Sequence, residues 1–81
     1  MFKVGEIIRR CKTVIQQDYL PYENISDWKV KEVVHRTLED RDYTEYLVEH
    51  IRTQQKLSEY VCEVQLLSEI KKVNNRDITE I

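Results

Sequence analysis

Turn-forming residues are nearly missing from this chain. Gly5 is its only glycine and Pro21 its only proline. Tight turns favour those residues, so the composition speaks against a many-stranded sheet and suits helices. Long apolar runs are missing too. Residues 1–20 carry charges throughout, so they do not read as a signal peptide. No stretch approaches the roughly 20 apolar residues of a membrane-spanning helix. Cysteine is scarce: Cys11 and Cys62 each sit in an apolar pattern of helical spacing. Two reduced, buried thiols in a cytoplasmic protein are the simple reading, with a Cys11–Cys62 disulfide as the alternative.

A strong charge of one sign is absent as well. The formal net charge is −2, whereas a dedicated nucleic-acid binder usually carries a clear basic excess. There is no H-E-x-x-H, no Gly-rich phosphate loop and no nucleophile elbow. Cys11, His35, His50 and Cys62 could be assembled into a zinc set on paper. Structural zinc sites, however, draw ligands in close sequence pairs, and these four are singletons. The expectation is no metal, no cofactor and no enzyme. A chain of 81 residues forms one domain with a marginal core and little room for a water-excluding pocket.

What the chain does hold is apolar spacing that reads as helical. Residues 42–73 contain no Gly or Pro, and their apolar positions recur at helical intervals. They predict one long helix over about 43–73, opened by a capping box of Asp42 and Glu45 and ended at Asn74 and Asn75. The alternative is a break near residues 53–56. Val4, Ile7, Ile8, Cys11, Val14 and Ile15 predict a first helix over about 3–19, stopped by Pro21. Val30, Val33, Val34 and Leu38 predict a second over about 27–39, with Ser26 as N-cap. Its β-branched residues make a strand the local alternative. The fold expected is therefore all-α: a single three-helix domain over residues 1–81, ending in a short tail at 74–81.

From residue 57 onward the apolar residues occupy two sides of the predicted helix. Leu57, Tyr60, Val64 and Leu67 mark one side; Cys62, Leu66, Ile70 and Val73 mark another. A helix apolar on two sides must be covered on two sides. Residues 57–73 are thus expected to form an oligomerisation segment, most simply in a dimer. Its interface would use Leu57, Tyr60, Val64, Leu66, Leu67 and Ile70.

Three further surfaces stand out. Trp28 projects off the apolar face of the second predicted helix, with His35 near it and Tyr22 in the preceding connection. These are the candidates for contact with a protein partner, the counter-reading being that Trp28 covers a helix end. Lys3, Arg9, Arg10 and Lys12 form a basic side on the first predicted helix, the candidate nucleic-acid surface. Acidic charge is densest at residues 38–45, where a helix start favours it.

The function expected is a small non-enzymatic interaction module acting as a homo-oligomer. By analogy alone it is a regulator, adaptor or inhibitor of the kind common in phages and mobile genetic elements. A nucleic-acid-binding regulator is the rival reading. A small-ligand sequestering oligomer, with a tyrosine-lined pocket between subunits, is the third.

Overall fold

A computed structural model describes residues 1–15, 17–52 and 57–79 of the chain. It overturns the all-α expectation. Its described elements are four strands and one C-terminal helix: β1 Ile7–Val14, β2 Tyr22–Leu38, β3 Arg41–His50, β4 Ser58–Cys62 and α1 Glu63–Thr79. The strands form one antiparallel sheet in the order β1-β2-β3-β4.

The first predicted helix is β1. Its inward side chains are Ile8 and Arg10, both buried, while Ile7 stays exposed. An arginine holding an interior position erases the apolar alternation that announces a strand. The second predicted helix is β2, which is the local alternative that its β-branched residues offered. Between Val30 and Glu32 its register slips by one residue, a β-bulge at Lys31. Trp28 and Val30 face the core before the bulge, and Val33, opposite the buried Tyr46, faces it after. Inward positions therefore run 28, 30, 33, a spacing that resembles a helix although each half is extended.

The long helix is divided three ways. Residues 41–50 are β3, residues 58–62 are β4, and among the described residues of the segment the helix begins at Glu63. The suggested break at residues 53–56 lies outside the described residues. The helix does not stop at Asn74 and Asn75 but continues to Thr79, so most of the expected tail is helical. The caps assigned to Ser26, Asp42 and Glu45 do other work. Ser26 Oγ accepts a bond from the Trp28 indole at 2.8 Å, Asp42 accepts one from Thr37 at 2.8 Å, and Glu45 pairs with Arg36.

Two backbone devices replace the missing turn residues. Gly5 takes φ of 92°, its N–H bonding to Val30 C=O at 2.8 Å while Val30 N–H bonds to Glu6 C=O at 2.9 Å. That is a glycine bulge leading into β1. Glu39 and Asp40 join β2 to β3 as a two-residue hairpin loop with φ of 50° and 64°. Positive φ at both loop residues is the type I′ turn, here made without Asn-Gly.

The sheet curls. Arg10 and Glu59 lie on opposite edge strands, yet their side chains meet at 2.6 Å. In a flat sheet three strand spacings would hold them roughly 14 Å apart. α1 closes the concave side, burying Leu66, Glu69 and Val73 at helical intervals. The core contains Ile8, Trp28, Val30, Tyr46, Val48, Val61 and Leu66, with Phe2, Val33 and Ile70 at its margin.

Candidate interaction surface

The inner wall carries a charged cluster before it carries any site. Arg10 is fully buried, and its guanidinium grips Glu69 of α1 through Nη2 at 2.9 Å to both carboxylate oxygens and through Nε at 3.2 Å. Nη1 donates to Glu59, and Lys12 Nζ bonds the other Glu59 oxygen at 2.8 Å. The Arg10 carbon Cζ sits 4.8 Å over the Trp28 ring, and Lys12 Nζ sits 5.5 Å from it. Desolvation pushes the Glu59 carboxyl up, but the bonds from Lys12 and Arg10 outweigh it and hold the group below the ordinary carboxylate range. Every charge in this cluster has an opposite charge beside it. Its role is to join β1, β4 and α1.

The basic residues expected to share one side of residues 3–12 are instead divided between interior and surface and are largely ion-paired. Arg10 is interior, Lys12 is committed to Glu59, and Arg9 pairs with Asp27 at 2.9 Å. The Arg9 bond holds the Asp27 carboxyl below its usual value. Lys3 is exposed, near the start of the chain.

The three suggested partner residues are not brought together. Trp28 is 5% exposed and packs edge-on to His50, ring centres 4.9 Å apart. Tyr22 and His35 are exposed near opposite ends of β2, paired with Val14 and Thr44. Nor do the paper zinc ligands converge. His35 lies beside Thr44, His50 beside Trp28, and the Cys11 thiol 3.6 Å from Glu23. Cys11 and Cys62 line one cavity of about 450 Å³ without a disulfide between them. Among the described residues no three His, Cys, Asp or Glu side chains are grouped to hold a metal ion, and no helix is long and apolar enough to cross a membrane.

The expected oligomer interface is split by the fold. Leu66 is wholly buried and Ile70 half-buried against the core, so α1 spends that side on its own sheet. The other side stays in water: Val64 is 79% exposed, Leu67 50%, Tyr60 52% and Leu57 50%. Val64 and Leu67 do not stand alone. With Tyr43, Thr44 and Cys62 they line a groove of about 310 Å³ between the start of β3 and the first turns of α1, with Asp42 and Glu63 at its margin. Beside it, Arg36 lies 5.7 Å from the Tyr60 ring and forms an ion pair with Glu45. That pair raises the Arg36 pKa further.

Tyr43 and Arg36 were missed as parts of this surface. The β3–β4 pairing, which sets Glu45 opposite Cys62, carries Tyr43 to the start of α1, and the β2–β3 pairing sets Arg36 opposite Tyr43. No family model, curated protein or solved structure matches the chain.

Proposed function

We propose that this chain is a non-enzymatic interaction module that works as a homo-oligomer, using the groove of Tyr43, Cys62, Val64 and Leu67 together with Leu57 and Tyr60. One observation carries the reading: α1 has already buried Leu66 and Val73 in its own core, yet leaves Val64 and Leu67 exposed around an apolar groove. Contiguous exposed apolar side chains rimmed by polar ones are a mark of contact surfaces. Two thiols without a disulfide between them suit the reducing conditions of the cytoplasm. Nothing comparable supports a nucleic-acid reading, since the basic residues proposed for it are interior or ion-paired, apart from Lys3.

The test is the double substitution Val64→Glu and Leu67→Glu. Both positions are exposed, so the melting temperature should hold while sedimentation at micromolar concentration shifts from oligomer to monomer. Oligomer size unchanged by two charges in the groove would remove this surface from the assembly.

A further inference from the structure

We infer that two copies pair edge to edge through β4, antiparallel, about a two-fold axis at Tyr60. This deepens the interaction reading above and rests on it. His50 N–H donates to Leu57 C=O at 2.8 Å, which makes those two an exchanging pair of the β3–β4 ladder. Exchanging and non-exchanging pairs alternate in an antiparallel ladder. With Val48 opposite Glu59 and Tyr46 opposite Val61, residues 57, 59 and 61 turn their main-chain groups toward β3. Ser58 and Tyr60 turn theirs outward. β4 is the last strand in the sheet order, and both residues are solvent-exposed.

Natural edge strands are usually guarded by lysine, proline, a bulge or an inward charge. β4, Ser-Glu-Tyr-Val-Cys, has no lysine or proline, and its ladder with β3 is unbroken. Its inward charge, Glu59, is already bound by Arg10 and Lys12. Among the described residues, its short length of five residues is the protection that remains.

Self-pairing centred on Tyr60 satisfies the outward groups. Tyr60 exchanges bonds with its own copy, and Ser58 faces Cys62. Glu59 falls opposite Val61, so no like charges meet directly. The same register sets Leu57 of the second copy opposite Glu63, beside the groove lined by Tyr43, Val64 and Leu67. One arrangement therefore takes Leu57 and Tyr60 into the paired strands and sets Val64 and Leu67, also exposed, beside them.

The experiment uses the full chain at micromolar concentration. Sedimentation should give a dimer. Tyr60→Pro removes the outward N–H, a change an edge position tolerates, and should give a folded monomer. Ser58→Cys, oxidised with copper-phenanthroline and mapped by peptide mass, should yield an intermolecular 58–62 disulfide, since facing strand residues lie within disulfide reach. The link is readable even if Tyr60→Pro unfolds. A dimer that Val64→Glu with Leu67→Glu dissociates but that forms no 58–62 link would overturn the strand pairing and leave the groove reading standing. A monomeric wild type would remove both.

Discussion

Arg10 of β1 and Glu69 of α1 bind each other across 59 positions of sequence, both withdrawn from water, at 2.9 Å. This pair ties the helix to the sheet. Burying two charges is costly, and the pair is sustained only because each satisfies the other, with Glu59 taking the remaining guanidinium edge.

Breaking the pair from one side should therefore hurt more than removing it. Arg10→Met strands Glu69, and Glu69→Leu strands part of Arg10; each should cost about 3–5 kcal/mol. The double variant should recover much of that loss, because apolar side chains of similar volume can replace a buried pair. Urea melts of the four proteins give the coupling directly. Additive losses would mean the two side chains act independently.

Glu59 makes the fold acid-sensitive. Its folded pKa is depressed, so between the unfolded and folded values the unfolded chain binds more protons. Its contribution is complete above the unfolded value of about 4.5 and is lost as pH falls through the lower folded value. Stability should decline from about pH 5 downward. Glu59→Gln should be less stable than wild type at pH 7, with a shallower loss below pH 5, readable in melting temperatures across that range. An unchanged acid limb would mean other carboxylates govern it.

The hairpin loop offers a gain. Glu39 and Asp40 hold positive φ without glycine, a conformation that costs an ordinary residue roughly 1–2 kcal/mol. Glu39→Asn with Asp40→Gly supplies the pair that a type I′ turn prefers. The melting temperature should rise, by about 4–8 °C for each kcal/mol recovered. A fall would show that one of these side chains contributes more than the strain removes.

Parts of this fold were open to a sequence reading. The α1 face of Leu66, Ile70 and Val73 shows at helical spacing, and so does the second apolar side that leaves Val64 and Leu67 uncovered. The strands were hidden for identifiable reasons. Arg10 and Glu59 occupy inward positions where alternation demands apolar residues, and their pairing is visible only once β1 and β4 are together. The bulge at Lys31 shifts the phase of β2 halfway along. The Glu39–Asp40 turn lacks the residues that announce a hairpin, and the unbroken polar-apolar mixture of residues 42–73 then imitates one helix. The surface was half legible for the same reason: Val64 and Leu67 lie on one element, whereas Tyr43 and Arg36 reach them through strand pairing.

β2 is paired with β1 from Tyr22 to Lys29 and with β3 from Trp28 to Leu38. Counting the Val30–Glu6 and Ile51–Asp27 bonds, Asp27, Trp28, Lys29 and Val30 are, among the described residues, the ones held from both sides. The sheet is in effect two ribbons fastened over four residues. Cooperative units of a fold tend to follow such local pairings. The outer half of the β2–β3 hairpin can thus open and close without disturbing β1. In hydrogen exchange, amides near the Glu39–Asp40 turn should lose protection first, and those of Trp28 and Val30 should exchange only when the whole domain unfolds.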